Sequence, residues 1–562
     1  MANIVRKIVE MKRRLHFSRL SAGLVVSILL LLGATLSACS SNSTSTASSN
    51  STSTPKGHVL LVGSFNGVKG QYATVQAAVN AAKPGDWILI GPGDYHEDNS
   101  MVNVPTSSQQ GLGENGGVLI TTPDLHLLGM NRNTVVIDGT KPGSPECSSA
   151  PQDQNLGPIG PNGKPMGENG IDIFETNNTW VENLTVCNYL SGSGGGGNEI
   201  WWDGGSGTGK IGLSGYWGSY LTATSTYYGP DNVDAGYGIF ANSAAGPASW
   251  NQIYASNFND SGMYVGACQQ VCDITINHAW MEYNALGYSG TNSGGAVVIE
   301  NSQFDNNQDG FDTNTQIGSD PPPPQNGDCP DGKISPITHT RSCWVFMHNY
   351  VHNNNNPNVP ETSGYASAGP TGTGMTLSGG RNDTVMDNVF ENNGAWGILF
   401  VPFPDSDKPF KGVTCANSGG FTSSLFPGCI YNPENDALIN NTFKHNGFFG
   451  NPSNGDYGQI VFNGGLPQNC YSGNVAPDGS TPSNLEKVQS KCGTIMKQAN
   501  LGGSLFSQVL CDTHFLPCPA GANYPTVTQV TMKPLPKNLP TMPNPCQNVP
   551  SNSWCKNGKP IS

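Results

Sequence analysis

The sequence predicts an all-β solenoid: a right-handed parallel β-helix with an N-terminal capping helix and a disulfide-rich C-terminal tail. Three observations carry this expectation. The first is composition. The 562 residues include 72 glycines, only 12% are charged, and Asn, Ser and Thr recur throughout. Such a chain turns often and builds few long helices, because these residues favour turns and caps over helix interiors. The second is a recurring motif of apolar–x–apolar, a polar residue, a large apolar residue and an Asn-rich turn. Examples are Ile276 to Asn284, Ile299 to Asn307, Phe346 to Asn354, Val385 to Gly394 and Leu438 to Gly447. The third is its spacing. Phe258, Met281 and Phe304 stand 23 residues apart, and Val351 follows at about two such steps.

A period in the twenties with short strands means stacked coils. A single coil cannot bury its own apolar face. Stacking pairs the strands as parallel sheets and closes one continuous core. An open coil end exposes strand edges and apolar core, so a cap is required. Tyr72 to Ala82 supplies one, a short amphipathic helix with Val75, Ala78, Val79 and Ala82 on one face. Lys83-Pro84-Gly85-Asp86 ends it, Trp87 to Ile90 reads as a strand, and Gly91 to Tyr95 as a turn.

That helix–PGD–strand–PG-x-Y order resembles the first coil of the pectin-lyase-like superfamily of parallel β-helices. The resemblance runs over about residues 58–465. The stretch from Gly262 to Pro404 is similar to bacterial parallel β-helix repeat proteins of no assigned activity. Residues 466–562 lack the motif and are rich in Cys and Pro, which reads as a cap or tail on the last coil.

The remaining segments give an address. Residues 1–38 read as a signal peptide, with Arg6, Lys7, Lys12, Arg13, Arg14 and Arg19 before an apolar run too short to span a bilayer comfortably. Leu36-Ser37-Ala38-Cys39 resembles the lipobox of bacterial lipoproteins, which implies a lipid on Cys39 and anchoring at the cell surface or in the periplasm. Residues 39–57 are a Ser/Thr-rich tether.

Removing Cys39 from the 15 cysteines leaves an even number. In an exported chain these read as disulfides. Near-neighbour pairing gives Cys268/Cys272, Cys329/Cys343, Cys415/Cys429, Cys470/Cys492, Cys511/Cys518 and Cys546/Cys555, with Cys147/Cys187 left over. The formal net charge of -14 argues against a nucleic-acid partner. A cap at each end predicts a monomer.

Two regions are candidate sites. Asn307-Gln308-Asp309-Gly310-Phe311-Asp312 resembles the catalytic coil of polygalacturonases and the calcium-binding coil of one class of pectate lyases. That resemblance implies Asp309 and Asp312 as catalytic carboxylates, or Asp305, Asp309 and Asp312 as calcium ligands. The later Gly-His-Gly and Arg-x-Lys of polygalacturonases are missing. Gln308 replaces an aspartate of the lyase pattern, and no Lys or Arg lies between Lys210 and Lys333. A base would have to come from Lys333, Arg341 or Arg381. The competing reading makes Asn306, Asn307, Asp309 and Asp312 turn residues in a stacked polar ladder.

The second candidate is the glycine-rich stretch 191–237. Trp201, Trp202, Asp203, Trp217 and Tyr220 there could form a sugar-stacking platform. His278, His348, His352 and His445 lie inside coil motifs and read as turn or surface residues. The functional expectation is contact with polysaccharide along the helix. The alternative is a lyase or glycosidase acting on a uronate-containing polymer.

Overall fold

The computed structural model describes residues 57–98, 116–205, 210–229, 233–268, 271–317, 325–360, 369–406, 408–409, 411–424, 426–462, 469–492 and 504–561. The signal peptide, Cys39, most of the tether and Asp231 lie outside them.

Each coil contributes one short strand to each of three parallel sheets. Among the described residues these sheets hold 12, 10 and 11 strands. The first begins Val59–Val62, Trp87–Ile90, His126–Gly129; the second begins Gly93–Tyr95, Val135–Asp138, Thr185–Cys187; the third begins Gly116–Ile120, Asn169–Phe174, Asn198–Asp203. Every pairing between successive coils is parallel, from Leu60↔Ile88 in the first coils to Tyr457↔Ser480 in the last. This is a parallel β-helix, and strand twist favours its right-handed sense.

The large apolar residues of the motif stack in register. Met281 pairs with Phe304, Phe304 with Val351, Val351 with Phe390 and Phe390 with Phe443. All are buried. Phe258 departs from the expected alignment. The residue opposite Met281 is Ala255, and Phe258 sits beyond the strand, its N–H donating to Asn284 Oδ1 at 3.1 Å. The coil is therefore longer than the 23-residue ruler implied. Small residues at Gly218, Ala223 and Ala255 leave interior volume that Trp202, Trp250 and Phe258 fill. A Cβ on Gly218 would lie 3.0 Å from the Trp202 ring.

Two turns per coil hold the stack through asparagine. Asn284, Asn307, Asn354, Asn393 and Asn446 form one ladder, each backbone N–H donating to the next Oδ1 at 2.9–3.2 Å. Ser302, Asn349, Asn388, Asn441 and Asn474 form the other. The residue before each ladder position takes positive φ, as at Asn306 and His348, which Asn and His tolerate better than bulkier residues. A glycine column leads into the third sheet. A Cβ on Gly287 would sit 2.3 Å from Gly310 O, and one on Gly310 2.4 Å from Gly374 O.

The N-terminal cap is helix α1, Val75–Ala81, packed through Val75, Ala78 and Val79. Glu97 accepts from Val75 N at 2.5 Å and Gln76 N at 3.2 Å, satisfying two free donors of the first turn. The sheets continue past residue 465 through Cys470–Ser472 and Ser480–Thr481. Helix α2 (Leu485–Val488) and helix α3 (Ser504–Asp512) lie beside the last coils.

From there the chain does not stay on the last coil as the sequence suggested. It returns along the helix as a strap. Thr531 N–H bonds Asn358 O at 2.9 Å, Lys533 lies on Asn257, Leu539 on Asn133, Thr541 on Asn183, and Trp554 donates to Val68 O at 2.9 Å in the first coil. Val549 and Trp554 cover Leu61, Leu89 and Leu128 on the outer face of the first sheet. Seven disulfides join Cys147–Cys187, Cys268–Cys272, Cys329–Cys343, Cys415–Cys429, Cys470–Cys492, Cys511–Cys518 and Cys546–Cys555.

Candidate functional site

Of the aspartates of the sequence candidate, Asp309 and Asp312 lie near each other against Thr376 and Ser378, and Asp305 belongs to another sheet. Asp309 is fully buried at the entry to the third sheet, where Phe311 N donates to Oδ1 at 3.2 Å and Thr376 Oγ1 to Oδ2 at 2.6 Å. Burial first, then the Asp312 charge, pushes its pKa well above the usual carboxylate range. Asp312 faces outward on the third sheet, taking bonds from Ser378 Oγ at 3.0 Å and Asn314 Nδ2 at 3.3 Å. Burial raises its pKa to about 7. Asp305 belongs to the outer face of the second sheet. The expected calcium triad is thus spread over two faces and the interior. The group of described residues close enough to share an ion, other than one containing the bonded Cys147 and Cys187, is Asp94, His96 and Asp138.

The expected stacking platform is likewise divided. Trp202 is core. Trp201 lies under Phe240 on the third sheet with Nε1 on Asn242 Oδ1 at 2.6 Å, and Asp203 accepts from Gly205 N at 2.7 Å. Trp217 faces outward on the first sheet as the end of a ring stack, Trp87–His126–Trp180–Trp217, with centroids 3.8, 4.1 and 4.3 Å apart. Burial lowers the His126 pKa to about 4, so the stack is neutral. Tyr220 is a positive-φ turn residue.

The second sheet brings functional groups together instead. Its strands in this region are three residues long, so the inward central residue leaves both neighbours facing out. One outward column runs Thr185, Thr222, Tyr254, Trp280, Gln303, Tyr350, Val389, Thr442. The other runs Cys187, Thr224, Ser256, Glu282, Asp305, His352, Glu391, Lys444.

A rule links them. An aromatic donor of one coil bonds the carboxylate of the next: Tyr254 Oη to Glu282 at 2.8 Å, Trp280 Nε1 to Asp305 at 2.7 Å, Tyr350 Oη to Glu391 at 3.1 Å. The rule breaks where Gln303 replaces the aromatic and His352 the carboxylate, and again at Val389 and Lys444. Gln303 donates to Asp305 of its own coil at 2.9 Å, and Asn306 Nδ2 to Asp305 Oδ2 at 2.5 Å.

His352 stacks on Tyr350 with centroids 3.9 Å apart. Its Nδ1 lies 2.8 Å from Asn353 Nδ2, a donor, which assigns the imidazole proton to Nε2. Nε2 is buried with no hydrogen-bond partner and lies 4.0 Å from Asp305 Oδ1. Burial lowers the His352 pKa, opposed by the Asp305 and Glu391 charges. A neutral imidazole beside a carboxylate and an exposed phenol can exchange protons with a bound hydroxylated ligand. Lys444, 3.8 Å from Glu391, closes the row.

The strap covers half of this face. Lys533 and Asn257 exchange two bonds, Lys533 N to Oδ1 at 2.9 Å and Nδ2 to Lys533 O at 2.8 Å. The Lys533 ammonium pairs with Glu282 and lies 5.4 Å from the Trp280 ring centre. Leu535 packs on Val136 and the Cys147–Cys187 pair, and Leu539 makes a second two-bond exchange with Asn133. Thr222, Tyr254, Ser256 and Glu282 are consequently at most 2% exposed although they face outward. Beyond them Gln303, Val389 and Glu391 are half-buried, Lys444 is exposed and Tyr350 is 38% exposed.

No family model matches the chain, and no curated protein sequence does. Among solved structures it is similar to the mannuronan C-5 epimerase AlgE4 A-module of Azotobacter vinelandii (TM-score 0.38, 13% identity, 71% of this chain and 90% of that one). It is also similar to the polygalacturonase of Erwinia carotovora ssp. carotovora (0.37, 12%, 77% and 97%) and the alginate lyase of Paenibacillus sp. str. FPU-7 (0.32, 10%, 76% and 96%). These likenesses are too distant to transfer residues or activity. The class rests on the chain's own sheets: a disulfide-linked parallel β-helix.

Proposed function

We propose that this is an exported protein that binds polysaccharide along the open half of the second sheet. The observation that carries the reading is the row of aromatic and ionisable groups from Trp280 to Lys444, spaced one coil apart, whose Tyr350, Glu391 and Lys444 reach the surface beyond the strap. Aromatic faces and edges supply contact area, and hydroxyl-bonding groups fix orientation. The formal charge of -14 and the acids along the row favour neutral or weakly charged glycans. Glycan-array binding by the purified protein, lost in Tyr350→Ala, would bear this out; no binding to any neutral, amino or uronate glycan would remove it.

A second reading, catalysis, is favoured by one feature: the unpartnered Nε2–H of His352 beside Asp305 and Tyr350. In a lyase the Nε2–H of His352 would hydrogen-bond the uronate carboxylate as its charge builds, while the Tyr350 oxygen, its proton drawn to Glu391, would take the proton alpha to that carboxyl and return it to the leaving glycosidic oxygen. Unsaturated product or new reducing ends, abolished in His352→Gln, would establish it.

Export and a lipid on Cys39 belong to the same proposal and rest on the leader and lipobox. Metabolic labelling with a fatty-acid analogue, lost in Cys39→Ala, tests them.

A further inference from the structure

Resting on that reading of the second sheet, we infer that the strap turns its open half into a blind groove, closed at Lys533, which holds the end of a glycan chain rather than its middle. An extended polymer lying along the coils would have to continue from Asp305 and Glu282 over Ser256, Thr224 and Cys187. The strap already lies there. It is fixed at both margins of the sheet by two-bond amide exchanges, at Asn257 on one side and Asn133 on the other. These replace the backbone pairing that an edge strand would use.

Between the two anchors, Leu535 packs over the Cys147–Cys187 disulfide. Arg132 spans the same face, its Nε donating to Thr222 Oγ1 at 2.7 Å, its Nη1 to Pro540 O at 3.2 Å and its Nη2 to Leu221 O. Lifting the strap would leave Glu282 without its ammonium and uncover Tyr254, both at most 2% exposed. A bound glycan is therefore expected to stop at the strap rather than displace it.

The wall is chemically specific. The Lys533 ammonium has three donors. One pairs with Glu282, and the group sits between the Trp280 and Tyr283 rings, 5.4 and 5.0 Å from their centres. The last sugar would meet a cation, the Trp280 ring and Asp305. The coils of Asp305, His352, Glu391 and Lys444 then span roughly 14 Å at about 4.8 Å per coil, room for a few sugars, with Tyr350, Glu391 and Lys444 reaching the surface and Asp305 and His352 beneath it. Beyond Lys444 the chain would leave freely.

The test uses the purified full-length protein. Its probes are a linear β-glucan, chitosan, polygalacturonate and alginate, each as long polymer and after partial hydrolysis. If chain ends are bound, saturation counts one protein per end, so shortening a polymer tenfold raises capacity per gram about tenfold by mass action. The strap-releasing pair Lys533→Ala and Asn257→Gly should then load several molecules on one long chain; Lys533→Met, which keeps the packing but not the charge, should still bind ends. Capacity per gram unchanged by shortening of the native protein's ligand would overturn the inference and leave the binding function standing. Absence of binding to all four glycans would overturn both.

Discussion

The two halves of the second sheet share one backbone and differ in what lies on top. Under the strap the outward columns are Thr185, Thr222, Tyr254 and Cys187, Thr224, Ser256; beyond it they become Gln303, Tyr350, Val389 and Asp305, His352, Glu391, Lys444. Small and neutral side chains fit beneath another segment of the chain, where an unpaired charge would be costly. Beyond it the outward side chains are mostly ionisable: Tyr350 and Lys444 reach the surface, Glu391 is half-buried, and Asp305 and His352 lie buried beside them. Glu282 marks the border, and it is the acid that the strap itself neutralises. The outward residues of a solenoid therefore report whether a face is covered, as clearly as the inward ones report the core.

The largest expected effect breaks the covered half. Ending the chain before Thr528 should expose Leu61, Leu89 and Leu128 together with Tyr254. A loss on the order of 5 kcal/mol follows from about 1.5–3 kcal/mol per buried apolar side chain, read as a lower urea midpoint. Next is Asn354→Ala in the open half. It strands Asn307 N and Phe304 O inside the turn and should cost about 2–4 kcal/mol in the same assay. The open half should respond differently to His352→Ala. Glycan affinity should fall about tenfold, roughly 1.4 kcal/mol, while the urea midpoint falls less than in Asn354→Ala, because the ring gives up its Asn353 bond and its stack on Tyr350 but strands no backbone group.

A further effect is in pH. Burial raises the folded-state pKa of Asp312 to about 7 and of Asp234 and Asp456 to about 6. The folded protein then binds protons more tightly than the unfolded chain, so stability falls as pH rises from about 4 to about 7. Asp312→Asn should flatten that slope, measured as melting temperature against pH.

The core was legible because it repeats. The large apolar residues of each motif did mark inward positions, and the asparagines after them did build the turns. Phe258 misled the ruler because Ala255, at the true inward position, is too small to look like one. His352 was also legible in principle. Once Val351 is inward, a three-residue strand forces Tyr350 and His352 outward, and lining up the flanks of each large apolar residue writes out the whole row. Asp309 resembled a catalytic residue by local pattern, but the pattern does not say which way a carboxylate faces.

The strap could not be read. Its partners Asn133 and Leu539 lie 406 residues apart, and its prolines and polar residues carry no period. Only the packed coil creates the surface on which it lies.

Hydrogen-exchange mass spectrometry of the full-length protein, with and without a bound tetrasaccharide, tests the contrast between the two halves most directly. The account predicts new protection confined to Gln303–Asp305, Tyr350–His352 and Val389–Glu391, with the strap around Lys533 unchanged. Protection on the outer faces of the first or third sheet, or loss of protection along the strap, would contradict it.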